Sequence, residues 1–220
     1  GAAQEIGATE DGRLEVDADF SNSSVDAFGR LRVSSPFTLF DSSHRYADNG
    51  LWETNTASGG AANFSANAGL VELSVNTASG STVKRETKRV FAYQPGKSLF
   101  SMNSFVMAPA QSNLVQRVGY FGESNGIYLE QNGSEISFVQ RSLITGSVVS
   151  TSVSRSNWNV DKLDGSGPSG YTLDLSKSQI LWLDLEWLGV GNPGIGFVID
   201  REFICCHTFK YANTITSTYM

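Results

Sequence analysis

Ile180-Leu-Trp-Leu-Asp-Leu-Glu-Trp-Leu188 is the stretch on which the fold turns. Successive side chains of an extended strand point to opposite faces. Leu181, Leu183, Leu185 and Trp187 therefore share one apolar face, expected to be core. Trp182, Asp184 and Glu186 share the other, expected to be solvated or a binding surface. Gly189-Val-Gly-Asn-Pro-Gly194 follows and leads into Ile195-Gly-Phe-Val-Ile-Asp-Arg-Glu-Phe203. The two segments are predicted to pair as an antiparallel hairpin. The glycines match G-x-G-x-x-G literally, but a dinucleotide site needs a helix after them. Pro193 interrupts and a strand follows, so the run reads as a turn.

Outward from this hairpin, strand-type segments recur at 70–75, 89–93, 99–107, 115–121, 127–130, 136–140, 147–153, 195–199 and 203–209. Turn signals separate many of them: Gln94-Pro-Gly, Glu123-Ser-Asn-Gly, Gln131-Asn-Gly and Ile144-Thr-Gly. Asn132-Gly133 between two such runs is a strong hairpin signal. No long amphipathic helix and no repeat of fixed period is visible. The expected fold is all-β: an antiparallel β-sandwich of jelly-roll or lectin-like type. Residues 1–25 are small, polar and acidic and read as an extended N-terminal arm. Residues 26–50 read as a docking and edge-strand segment, and 51–220 as one β-sandwich body. Within that body, 54–69 is expected to be a loop of small residues.

Of 220 residues, 40% are hydrophobic and 17% charged, which suits a folded domain rather than a disordered chain. The net charge of −6 argues against nucleic acid as a partner, since that affinity rests on Lys and Arg neutralising phosphates. Lys84, Arg85, Lys88 and Arg89 cluster around Glu86 and read as a solvated strand face. No run of about 18 apolar residues is present, so no membrane-spanning helix is predicted. The N-terminus lacks a basic region followed by an apolar one, so no signal peptide is read. Cys205 and Cys206 are adjacent, and strand neighbours point apart, so two reduced thiols are expected.

No constellation of catalytic residues emerges, and the chain is expected not to be an enzyme. Asp184 and Glu186 are the best acid pair, with carboxyls about 7 Å apart if they are same-face neighbours. A retaining glycosidase needs roughly 5–5.5 Å, and the next same-face positions offer Trp182 and Leu188 instead of a third acid. Glycan hydrolysis is thus the weakest of three functional readings. Cys205 and His207 share a strand face, but two ligands fall short of the three or four a zinc site needs. His44, beside Asp41 and Arg45, reads as a hydrogen-bonded structural histidine. Asp161-Lys-Leu-Asp-Gly-Ser-Gly-Pro168 is rich in oxygen but lacks the spacing of a calcium loop. No metal and no cofactor are expected. Trp182, facing away from the core side, is the candidate for stacking on a sugar together with loop 161–170. It carries the second reading, a carbohydrate-binding module that contacts a host surface glycan.

The densest stretch is Asp26-Ala-Phe-Gly-Arg-Leu-Arg-Val-Ser-Ser-Pro-Phe-Thr-Leu-Phe-Asp-Ser-Ser-His-Arg-Tyr46. Leu31 and Val33 alternate with Arg30 and Arg32, and Pro36 limits the strand or puts it at an edge. This stretch resembles a group of virion structural proteins of tailed bacteriophages, especially aquatic ones. Further similarity lies in Gln94-Pro-Gly-Lys-Ser98, Gln116-Arg-Val-Gly-Tyr-Phe121, Trp158-Asn-Val-Asp161, Gly165-Ser-Gly-Pro168 and the run from Gln179 to Gly191. The resemblance covers most of residues 26–211 and implies a particle component located in the virion. Similar proteins continue past the position of Met220, so a further C-terminal part is expected. The first functional reading follows: a virion structural protein acting as a decoration, neck, tail or fibre component. Its partners are other virion proteins and copies of itself, with three-fold symmetry the expected cyclic form. Phe28, Phe37, Leu39 and Phe40 are expected to bury against a partner, while Arg30, Arg32 and Arg45 pair with carboxylates or carbonyls.

Overall fold

The computed structural model describes residues 37–94 and 97–220. These form two compact units, one of residues 34–92, described from Phe37, and one of residues 93–220. One body over 51–220 was expected from the sequence, and the division falls inside it. Every described ladder is antiparallel. The only helical turn among the described residues is a 3-10 turn at Arg155–Asn157. The chain is all-β, as its alternation predicts.

Unit 34–92 contains β1 (Trp52–Ala57), β2 (Ala61–Ser65), β3 (Leu70–Ser74) and β4 (Thr82–Thr87). Pairing β1 with β4 sets Ala57 opposite Thr82, and pairing β2 with β3 sets Ala61 opposite Ser74. The two ladders thus follow one another along the same two chain segments. They are two separate two-stranded ladders, joined by a turn at 57–60, where the Gly60 N–H donates to the Ala57 carbonyl at 3.0 Å, and by 75–81, with the β2–β3 turn at 66–69. The stretch expected as a small-residue loop, 54–69, therefore holds the end of β1 and all of β2. The strand expected at 89–93 is irregular chain instead.

Unit 93–220 holds β5 (Leu99–Phe105), β6 (Val115–Phe121), β7 (Gly126–Asn132), β8 (Glu135–Ser142), β9 (Val149–Ser154), β10 (Gln179–Leu185), β11 (Gly194–Ile199) and β12 (Glu202–Thr208). They form two four-stranded sheets, ordered β6-β7-β8-β9 and β12-β11-β10-β5. The predicted Asn132-Gly133 hairpin joins β7 to β8, and the predicted pairing of β10 with β11 is present. The inner faces share one core: Ile127, Leu129 and Phe138 from the first sheet, and Leu181, Leu183, Leu185, Ile195 and Phe197 from the second. Phe138 stacks on Trp158 at 4.1 Å and meets Phe197 at 6.3 Å. This is the layered arrangement of a β-sandwich. A jelly roll asks for strands that alternate between the sheets along the chain. The described strands instead run as two meanders, with β5 laid beside β10.

The outer face of β10 is buried too. Asp184 is 6% exposed and Glu186 0%, against the expectation of a solvated or binding face. Trp182 is 1% exposed. It stacks on Phe100 at 6.1 Å, meets Phe203 at 6.4 Å, and its indole N–H donates to the Phe197 carbonyl at 3.2 Å. The space for it is made by β11, where its cross-strand partner is Gly196. A Cβ on Gly194 would lie 3.5 Å from the indole ring, and a Cβ on Gly196 would lie 1.9 Å from the Ile204 carbonyl oxygen. The glycines that mimic a nucleotide motif thus let a large aromatic and a neighbouring strand close on β11.

Candidate assembly surface

Phe28, Arg30 and Arg32 lie outside the described residues. The four other members of the predicted docking set separate into two roles. Phe37 is 86% exposed and Arg45 is exposed. Phe40 instead packs inside its own unit, edge-on to Trp52 at 5.7 Å and to Phe91 at 5.2 Å. Leu39 is half-buried, and its carbonyl accepts a hydrogen bond from Arg89 at 3.2 Å. So Phe40 and Leu39 hold the segment to its own unit, and Phe37 and Arg45 are left facing outward. Tyr46, 90% exposed, and Val90, 87% exposed, extend this outward set. The sequence did not mark them, because a single Tyr or Val carries no periodic signal.

Of the basic residues 84–89, Lys88 and Arg89 are exposed and Lys84 is at the surface, as expected of a solvated face, but Arg85 is not. The Arg85 side chain is only 9% exposed. It lies 5.7 Å over the Trp52 ring, donates to Asp48 at 2.7 Å, and donates to Thr54 at 2.9 Å. The Arg85 hydrogen bond holds the Asp48 carboxyl below its ordinary range. Arg89 lies over Phe91 at 5.2 Å. Thus two of the four cations roof the small aromatic cluster of Phe40, Trp52 and Phe91, and Lys84 pairs with Glu86 at 2.7 Å. His44 joins this cluster beside Trp52 and Phe64. Even so, no described residue of 37–92 is buried.

In unit 93–220 the sequence-derived candidates are structural. Trp182 is enclosed as described above, which overturns its reading as an outward platform for a sugar. Asp184 accepts from the Ser98 hydroxyl at 2.8 Å. In loop 161–170, Asp161 is the organising residue, 3% exposed. Its carboxylate accepts the Leu163 N–H at 2.7 Å and the Ser169 N–H at 2.8 Å. A Cβ at Gly167 would fall 2.1 Å from that carboxylate, so the loop closes tightly over it. Arg155 staples the loop from below by donating to the carbonyls of Lys162 and Leu163. Among the described residues, no three His, Cys, Asp or Glu side chains are grouped to hold a metal ion.

His207 is buried on β12, where its Nδ1 accepts the Asn159 N–H at 3.3 Å and its ring meets Phe209 edge-on. Burial first, then the nearby Lys210 charge, lowers it to about 4. Cys205 and Cys206 are free and buried. Burial, with the neighbouring Cys205, raises the Cys206 thiol far above its ordinary range, which suits an inert core residue.

Two shallow open depressions lie near the β7–β8 tip, one lined by Pro109, Gln131, Leu173 and Asp174 and the other by Glu135, Ser154 and Arg155. Neither includes the acid pair, the histidines or Trp182. No helix among the described residues is long and apolar enough to cross a membrane. No protein-family model, no curated protein and no solved structure matches the chain.

Proposed function

We propose that this chain is a structural component of a tailed-bacteriophage particle and works by protein–protein contact. It assembles with other virion proteins and with copies of itself, as a decoration, neck, tail or fibre element. The observation that carries this reading is the character of unit 34–92. It consists of two two-stranded ladders with no buried described residue and with Phe37, Tyr46 and Val90 almost fully exposed. A unit of this size is marginal even with an ordinary core, and an isolated two-stranded ribbon is marginal at best. Burial against a neighbour supplies what the unit lacks, at about 1.5–3 kcal/mol for each large apolar side chain fully covered. The resemblance of residues 26–46 to phage virion proteins agrees with that role.

The test is incorporation. Phe37→Ala removes an outward side chain without touching the Phe40 cluster. Particles grown with this variant are expected to hold less of the chain than wild-type particles, measured by antibody labelling in electron microscopy. Labelling at the wild-type level would remove Phe37 from the interface, and absence of the wild-type chain from purified particles would remove the reading. No observation favours the glycan-binding alternative, because its stacking residue is enclosed.

A further inference from the structure

Between Glu53 and Glu72 the chain carries no Asp, Glu, Lys, Arg or Pro. This uncharged run supplies most of β1, all of β2 and the start of β3. Among the described strands, β2 pairs only with β3. Its second edge therefore runs without a ladder partner there, and without the charge or proline that native proteins use to guard such edges. The unit that presents it has no buried described residue.

We propose that β2 pairs, antiparallel and across a two-fold axis, with β2 of a second copy of this chain. The inference rests on the assembly reading above and names the partner of that surface. Charge admits a second copy. Residues 34–92 hold five acids (Asp41, Asp48, Glu53, Glu72, Glu86) and five bases (Arg45, Lys84, Arg85, Lys88, Arg89), a net of zero in a chain of net −6. Two such units meet without the repulsion the whole chain would impose. A dyad at Asn63 sets Ala62 opposite Phe64, a small side chain against a large one, and Ala61 opposite Ser65, with no charges opposed. The same operation on β3 sets Glu72 against itself, and on β4 it sets Arg85 against Arg85 or Lys84.

The experiment uses the full chain in sedimentation equilibrium across the micromolar range. Wild type is expected to dimerise. Asn63→Lys and Asn63→Glu each bring like charges to about 5 Å at the dyad and are expected to weaken dimerisation by about tenfold or more. An equimolar mixture of the two variants is expected to recover it. Within one chain, position 63 faces Glu72 across the β2–β3 ladder, so the lysine variant is not expected to impair folding, which circular dichroism checks. A dimer indifferent to both substitutions overturns the β2 contact and leaves the assembly reading standing. A trimeric mass overturns it as well, since two-fold pairing closes at two copies. A monomer at every concentration that still enters particles overturns self-pairing and assigns the edge to another virion protein. A chain absent from particles sinks the assembly reading itself, whatever its mass in solution.

Discussion

His207 ties the stability of the sandwich to pH in a direction that can be worked out. Its ring is enclosed at β12 and titrates at about 4 in the folded chain, against 6.5 for an ordinary imidazole. The cause is burial of a group whose charged form needs water, reinforced by the Lys210 charge. Nδ1 also accepts the Asn159 N–H, a bond only the unprotonated nitrogen can make. The folded state thus resists a proton that the unfolded state takes up from pH 6.5 downward. Where the unfolded state binds more protons, stability rises with pH. The contribution is therefore full above about pH 6.5 and is lost as the pH falls toward 4. A shift of this size corresponds to about 2 kcal/mol lost between pH 7 and pH 5, with the greater part of the rest lost by pH 4. Urea denaturation at pH 7, 6 and 5, on wild type and on His207→Gln, isolates the term from other titrating groups. The variant is expected to be less stable at pH 7 and to lose about 2 kcal/mol less than wild type on going to pH 5. Parallel losses in the two proteins would refute the argument, because they would mean that His207 takes its proton as readily folded as unfolded.

Other expectations follow from the same packing. Trp182→Ala leaves a cavity on the outer face of β10 and should cost about 3–5 kcal/mol in a denaturant titration; a cost below about 1 kcal/mol would show that the indole is not enclosed. Asp161→Ala removes the acceptor of two backbone N–H groups and should cost about 3 kcal/mol, with loop 161–170 becoming the first site cut by protease. An uncut loop at unchanged stability would speak against Asp161 as its organiser. Phe40→Ala should speed hydrogen exchange across β1 and β4, whereas Phe37→Ala should leave it unchanged. Equal effects from the two would contradict the division between inward and outward anchors.

The strands legible in the sequence were those with strong apolar residues, in alternation or in runs. All eight strands of the sandwich fall on segments expected from the sequence, some by alternation and some, such as β12 with Phe203-Ile204-Cys205-Cys206, as continuous apolar runs. The Asn-Gly and Gly-Asn-Pro-Gly turns announce two of their hairpins locally. β1 and β2 were not legible, and β4 was legible only as a basic strand face without bounds. Thr, Asn, Ala and Ser alternate with nothing that hydropathy can register, and β4 interleaves Val83 with Lys84, Arg85 and Glu86. The candidate surface was half legible. The sequence picked out 37–46 as dense in anchors but had no means of telling Phe37 from Phe40. That difference lies in Trp52 and Phe91, brought to Phe40 by the fold of the unit.

By itself, the sequence determined that this chain is antiparallel β and that Leu181, Leu183 and Leu185 point into a core, because alternation is a property of the strand alone. Only the tertiary structure decided what lies on the other side of that strand. Trp182, Asp184 and Glu186 read as an outward face because polar residues alternate with leucine there, yet Gly194, Gly196, Phe100, Phe203 and Ser98 come to them from elsewhere in the chain. Whether a face is covered depends on residues distant in sequence. For the same reason the lack of a core in unit 34–92 could be read only once its strands were placed.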